Sequence, residues 1–150
     1  MTEPIRVDFT VGCTAAEAFD TWTRRISIWW PVQHTRSRQR GTTVVIEPKV
    51  GGRMFERTSE GEELHWGSVT VWDRPERFGY RWHITSPPDE ATEVEVRFAE
   101  IGDGTTRITV LHSGFDRLGA KGPPRRDANL RYWETLIPAF VNACEHSQTA

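Results

Sequence analysis

An amphipathic pattern near the C-terminus most strongly limits what this chain can fold into. Between residues 125 and 146, apolar side chains recur at steps of three and four, which is the spacing of one face of an α-helix. The apolar positions are Leu130, Trp133, Ile137, Phe140, Val141 and Cys144. Most of the stability of such a helix comes from covering its apolar stripe, so we expect it to pack on a large apolar surface. Pro138 interrupts the pattern, removes the hydrogen bond to Glu134, and is expected to kink the axis.

The preceding chain reads as a series of strands that supply this surface. Alternation of apolar and polar residues predicts strands at 5–11, 43–47, 53–58, 63–72, 78–84, 92–99 and 105–112. Thr14 and Glu17 form a capping-box pattern that predicts a short helix over 15–22, and a second helical piece over 24–30 ends at Pro31. The Gly- and Pro-rich segment 113–124 is predicted to be a loop. Strands with two short helices and one long final helix indicate a single α+β domain spanning residues 1–150.

Alternation within the strands assigns aromatic residues to one face of the sheet. The inward set is predicted to be Phe78, Tyr80, Trp82, Ile84, Val94, Val96, Phe98, Ile108, Val110 and His112. Strand 63–72 has large residues in both parities, which a bulge near Gly67 would explain. Two interpretations of the aromatic face stay open: the rings pack closely, or the curved surface leaves an apolar pocket.

Composition excludes several classes of partner. Nineteen basic and twenty-one acidic residues give a net charge of −2, which provides no field for nucleic acid or an anionic membrane. The first residues form neither a signal peptide nor a transmembrane segment. Two cysteines are too few for a disulfide framework or a cysteine metal site, and they indicate buried thiols in a reducing compartment. We therefore expect a cytoplasmic protein with no metal and no cofactor.

One segment is basic without being periodic. Residues 32–41 contain Arg36, Arg38 and Arg40. A solvated loop is the favoured interpretation, and a phosphate-binding patch is the alternative.

Three polar residues are candidates for chemistry. His112 ends an inward-facing strand, where it either forms structural hydrogen bonds or orients a ligand carbonyl or acts as a general base. His34 follows the Trp-Trp-Pro corner and lies either at a pocket mouth or in an exposed loop. Glu56 follows a double glycine and pairs either with Arg53 or Arg57 in a surface salt bridge or with a ligand.

Several stretches together resemble the helix-grip superfamily, called START-like or SRPBCC, and within it the branch homologous to the heat-shock-protein ATPase activator. The matching stretches are VDFTVGCTAAEAFDTWT from Val7, Trp29-Trp30-Pro31 with His34, Glu47-Pro48 through Gly51-Gly52-Arg53, Glu56-Arg57, Trp66-Gly67-Ser68-Val69, Trp72 with Pro75, Tyr80-Arg81-Trp82, and Thr106 through Phe115. The resemblance implies a curved antiparallel sheet of about six or seven strands that grips the C-terminal helix, with a cavity between them.

These observations predict binding of a small hydrophobic or aromatic ligand in that cavity. The expected ligand-binding residues are Trp30, His34, Phe55, Trp66, Tyr80, Trp82, Val96, His112, Trp133, Ile137 and Phe140. One alternative is a protein-interaction module of the chaperone ATPase activator type, with a chaperone or another protein as partner. The other is a cyclase-like or hydrolase-like cavity enzyme that uses His112 or Glu56, so the sequence leaves open whether the chain is an enzyme.

Overall fold

A computed structural model describes residues 2–84 and 86–147 of the chain. Within these residues, seven strands form one antiparallel sheet in the order β1-β7-β6-β5-β4-β3-β2. The strands are β1 Ile5–Val11, β2 Thr43–Ile46, β3 Arg53–Arg57, β4 Glu63–Asp73, β5 Arg77–Trp82, β6 Thr92–Gly102 and β7 Thr105–Ser113. Strands β2 to β7 follow one another as a meander, and β1 pairs with β7 at the far edge.

Helices cover one face of this sheet. They are α1 Ala15–Trp22, α2 Ile26–Trp29 and α3 Gly122–Ser147, with 3₁₀ turns at Val32–His34, Pro88–Glu90 and Phe115–Lys121. The predicted α+β helix-grip architecture is confirmed. None of these helices combines the length and the apolar composition needed to cross a bilayer.

The local signals that start and stop the short helices act as predicted. The hydroxyl of Thr14 accepts a hydrogen bond from the backbone N–H of Glu17, and the Glu17 carboxylate accepts one from the backbone N–H of Thr14. These reciprocal bonds satisfy donors that a helix start otherwise leaves without partners. Trp30 has extended backbone angles before Pro31, which ends α2.

A bulge in β4 explains its mixed pattern of large residues. Met54 pairs with Gly67 and Phe55 pairs with His65, so Trp66 is the extra residue. A Cβ atom at position 67 would lie 1.8 Å from the carbonyl oxygen of Arg81, so only glycine fits there. The predicted bulge near Gly67 is confirmed.

The long helix begins earlier than its apolar pattern indicates. It starts at Gly122 rather than at residue 125, and a 3₁₀ helix precedes it. The prediction of a loop over 113–124 is therefore wrong for most of that segment. Pro123 and Pro124 lie in the first helical turn, where backbone N–H groups have no partner within the helix and proline is tolerated.

The buried stripe of α3 is offset from the predicted one. Its buried members are Asn129, Trp133, Leu136, Phe140 and Cys144, whereas Leu130, Ile137 and Val141 are half-buried. The inward residues of β5, β6 and β7 are buried as alternation predicts.

Two cysteines join the ends of the fold. Cys13, directly after β1, and Cys144, near the end of α3, are both buried, and their thiols share a hydrogen bond. The prediction of buried thiols is confirmed.

Candidate functional site

Aromatic rings fill the deepest part of the space between the sheet and α3. The ring centroids of Trp22 and Phe140 are 4.6 Å apart, and those of Trp30 and Trp66 are 5.0 Å apart. The ring centroids of Trp82 and Trp66 are 5.7 Å apart. Close packing of rings, one of the two interpretations of the sequence, therefore describes this inner region.

Space remains where the sheet and the N-terminal half of α3 separate. We call this space the mouth cavity, and its volume is about 350 Å³. It is lined by Trp82, Ile84, Ser86, Thr92, Lys121, Pro124, Arg125, Ala128, Asn129 and Tyr132. The cavity thus combines two aromatic side chains with a small number of polar groups, which is the usual composition of a small-molecule site.

An acidic residue pairs with two cations on the rim of the mouth cavity. The carboxylate of Glu90 accepts hydrogen bonds from Lys121 Nζ at 2.8 Å and from an Arg125 guanidinium nitrogen at 3.1 Å. The bonds from Lys121 and then Arg125 hold the pKa of the Glu90 carboxyl below its usual range. These ion pairs connect the turn before β6 to the start of α3 and to the 3₁₀ helix that precedes it. One carboxylate against two cations leaves this rim with a net positive charge.

His112 is completely buried next to Thr92, which lines the mouth cavity. Trp133 donates its indole N–H to His112 Nδ1 at 3.1 Å, and Nε2 lies 2.7 Å from the hydroxyl of Thr92. Because Nδ1 accepts, the proton of the neutral ring must be on Nε2. Burial lowers the pKa of His112 to about 3. The imidazole is therefore neutral at pH 7, and both of its nitrogens are engaged.

Glu56 is also buried and has more partners than a surface salt bridge provides. Its carboxylate accepts hydrogen bonds from the backbone N–H groups of Arg36 and Ser37 and, at 2.7 Å, from the indole N–H of Trp66. Burial alone would raise the pKa of this carboxyl, but the hydrogen bonds from Ser37, Arg36 and Trp66 outweigh it, so the pKa lies below its usual range. Glu56 thus anchors the arginine-containing loop to the sheet.

His34 lies at the opposite side of Tyr132 from the mouth cavity. Its ring meets Tyr132 edge-on at 4.8 Å, and both residues line a neighbouring hollow of about 480 Å³ together with Arg38. Burial, and then the positive charge of Arg38, lowers the pKa of His34. His34 thus lines this hollow and not the mouth cavity.

The structure separates the expected ligand-binding residues into groups. Trp82 lines the mouth cavity and His34 the adjacent hollow. The members that lie in or against the packed core are Trp30, Trp66, Tyr80, Val96, His112, Trp133, Ile137 and Phe140. Phe55 is buried apart from that core, beneath the guanidinium of Arg53 at 4.4 Å. The bulge opposite Met54 and Phe55 makes simple alternation unreliable at this point of β3.

Sequence reasoning did not select Tyr132 and Asn129, which line the mouth cavity from α3. Asn129 is 5% exposed and lies four residues before Trp133 on the buried stripe. A polar residue on a buried helix face is uncommon unless it has a specific partner. The position of Asn129 on this face could therefore have marked it as a candidate site residue. Its side-chain N–H₂ donates to the carbonyl oxygen of Arg125. No comparable signal distinguished Tyr132.

The comparison with known families gives the identity of this arrangement. Residues 13–136 match the family described as Activator of Hsp90 ATPase homolog 1-like protein. The chain belongs to this family. The resemblance seen in the sequence is thereby confirmed, together with the SRPBCC-type fold. No protein with a curated description matches the chain.

Solved structures of similar fold belong to proteins with different roles. CalC from Micromonospora echinospora, a self-sacrificing resistance protein, is 28% identical with a TM-score of 0.72, over 97% of this chain and 96% of that chain. Txn09, an anthrahydroquino-γ-pyrone synthase, is also 28% identical, with a TM-score of 0.64 over 93% and 96% of the two chains. An HSP90 activator from Plasmodium falciparum is 14% identical, with a TM-score of 0.56 over 73% and 71%, and shows the fold alone.

Proposed function

We propose that this member of the family binds a small aromatic ligand in the mouth cavity. The observation that carries the proposal is the cavity itself, whose lining includes the aromatic side chains of Trp82 and Tyr132. Its volume of about 350 Å³ falls within the range of small-molecule pockets. Asn129 and Ser86 supply polar groups at its wall, and such groups fix the orientation of a bound ligand.

The ligand class follows from the aromatic residues in the lining and from one relative. Two aromatic walls favour a flat ring system, because offset stacking and edge-on contacts add to the energy of apolar burial. Txn09, which is 28% identical, is named for a product with fused rings. We therefore infer a fused-ring aromatic compound as the ligand.

Binding is a better account of this site than acid–base catalysis by His112 or Glu56. The pKa of His112, about 3, makes the imidazole a weak base at neutral pH. The Glu56 carboxylate accepts from three donors that favour its charged form, so its lowered pKa makes it a weak base as well. His112 instead bonds to Thr92, which lines the mouth cavity, whereas the partners of Glu56 lie outside that lining.

The proposal is tested by filling the cavity. A dihydroxyanthraquinone titrated into the protein is expected to quench tryptophan emission saturably and to stabilise the fold by about 2.7 kcal/mol at one hundred times its Kd. Ala128 lines the cavity, so Ala128→Leu is expected to weaken binding at least about tenfold by occupying ligand space. Ala120 is exposed and outside the cavity, so Ala120→Leu is the matched control and should bind as the wild type does. Equal affinity in the two variants would contradict the proposal, as would the absence of saturable quenching.

A second candidate function is docking to an Hsp90-type ATPase, as the family description suggests. The observation that favours it is Ile28, which is 75% exposed and borders a groove of about 470 Å³ with Trp29, Ala139 and Ala143. Exposed apolar patches often mark protein-interaction sites. Calorimetry with a purified Hsp90-type ATPase should give weaker binding for Ile28→Ser than for Val50→Ser, a change at a residue that is 64% exposed and does not line this groove. No heat of binding with the wild type would exclude this candidate.

A further inference from the structure

A second hollow lies on the other side of Ser86 from the mouth cavity. We call it the histidine hollow, and its volume is about 370 Å³. It is lined by Arg36, His65, His83, Ser86, Pro87 and Pro88. Every ionisable side chain in this lining is basic.

The two histidines of this hollow come from neighbouring strands and lie side by side. Their ring centroids are 6.5 Å apart, and the ring planes differ by only 26°. His65 belongs to β4, and His83 directly follows β5. Two imidazoles at this separation can both direct N–H groups to one bound group between or above them.

Three basic side chains lie close enough to His83 to affect its ionisation. Burial lowers the pKa of His83, a backbone hydrogen bond partly offsets this, and the neighbouring His65 on β4, Arg81 on β5 and Arg36 on the loop after Pro31 lower it further. Three acids lie near His65 and Arg81 in the strand register: Glu56 opposite Leu64, Glu63 two residues before His65, and Glu93 opposite Arg81. Glu56 accepts from backbone and indole N–H groups, Glu63 is paired with Arg53 and Arg57, and Glu93 with Arg117. In the described part of the chain, none of these carboxylates is bonded to the guanidinium of Arg36 or to the ring of His65 or His83.

Arg36 is held in place by its backbone while its side chain stays available. Its backbone N–H donates to the buried carboxylate of Glu56. Within residues 2–84 and 86–147, its guanidinium forms no hydrogen bond or ion pair. Arg53 shows the contrast, because its guanidinium is bound by both Glu47 and Glu63. An anchored arginine with an unused planar donor set is suited to bidentate binding of an oxyanion.

We propose that the histidine hollow binds a phosphate-type oxyanion. The guanidinium of Arg36 would bind two of its oxygens, and the ring N–H groups of His65 and His83 and the hydroxyl of Ser86 would supply further donors. The proposal follows the phosphate-binding interpretation of residues 32–41, but only for Arg36. Arg38 lines the hollow beside His34, and Arg40 lines neither hollow. The site is separate from the proposed aromatic site and borders it only at Ser86.

The test uses inorganic phosphate and the NMR signals of the histidine rings. At constant ionic strength, phosphate is expected to shift the His65 and His83 signals saturably and to raise the pKa of His83, because a bound anion favours the cationic imidazole. Arg36→Gln keeps the backbone bond to Glu56 and should weaken phosphate binding at least about tenfold. Arg40→Gln, a matched change in the same loop, should leave the affinity unchanged.

Three results would overturn the proposal. One is the absence of saturable shifts at His65 and His83. Another is equal phosphate affinity in the two arginine variants while both retain the wild-type melting temperature. The third is reproduction of the shifts by chloride at the same ionic strength, which would indicate general charge screening. Because no aromatic ligand and no tryptophan signal enters this assay, its outcome is independent of ligand binding in the mouth cavity.

Discussion

Replacement of the buried Glu56 by glutamine should destabilise the protein far more than the same replacement at an exposed glutamate. The carboxylate accepts from Arg36 N, Ser37 N and Trp66 Nε1, and the residue is fully buried. Glutamine offers one acceptor oxygen, and its N–H₂ group faces at least one of these donors. A buried donor left without an acceptor costs about 1–3 kcal/mol, so one or two such losses predict a decrease of roughly 2–4 kcal/mol in unfolding free energy. Urea unfolding followed by tryptophan fluorescence measures this decrease as a lower midpoint at unchanged m-value.

The matched control is Glu63→Gln, which removes an exposed carboxylate bound by Arg53 and Arg57. Exposed ion pairs contribute about 0–1 kcal/mol, so this variant should lose far less. Acid provides a second check, because the folded pKa of Glu56 is depressed from the ordinary 4.5. The ionised carboxylate therefore stabilises the fold fully above pH 4.5, and this stabilisation is lost as the pH falls through the folded pKa. The difference in unfolding free energy between the wild type and Glu56→Gln should accordingly shrink below pH 4.5. A loss below about 0.5 kcal/mol, or a difference that does not change with pH, would refute the anchoring role.

Two further predictions concern the buried histidine and the bulge. The pKa of His112 is about 3 in the folded protein, compared with the ordinary value of 6.5. Between these values His112 binds a proton only in the unfolded chain, so the unfolding free energy falls as the pH is lowered from 7 to 5. The slope contributed by His112 is at most about 1.4 kcal/mol per pH unit, and urea titrations of His112→Gln should lack it; an unchanged slope would argue against a buried neutral ring. Gly67→Ala places a Cβ atom 1.8 Å from a carbonyl oxygen and should abolish cooperative thermal unfolding, whereas Gly102→Ala meets no atom within 4 Å. Similar melting temperatures for the two glycine variants would contradict the need for close strand approach at Gly67.

The strands and short helices were predictable because their signals are local. Period-two alternation, the capping box at Thr14 and the stop at Pro31 each depend on neighbours within a few residues. The start of α3 was missed for a local reason as well, since prolines usually indicate a loop but are compatible with a first helical turn. Leu136 was left out of the predicted stripe, although it is 3% exposed. Which of several apolar helix positions face inward depends on what α3 packs against.

The candidate site was less predictable because it is a gap, and a gap depends on how side chains from distant segments fill space. The sequence identified the aromatic residues of the concave face but not which of them pack against each other. Trp66 and Trp82 are both among the expected ligand-binding residues, yet of these two only Trp82 lines the mouth cavity. Similarly, the buried position of Glu56 requires a loop that returns to β3 from twenty residues earlier in the chain. Whether Pro138 bends α3 stays a prediction.

The position of β1 at the edge beside β7 separates the folding of this chain into local and distant steps. Hairpins from β2 to β7 join neighbours in sequence, whereas Ile5 pairs with His112 across roughly a hundred residues of chain, which carries a large loop-closure entropy. We therefore expect the meander to be ordered early in the folding transition state and β1 to dock late. The Cys13–Cys144 contact, which joins the segment after β1 to the end of α3, would then form among the last contacts of the native state.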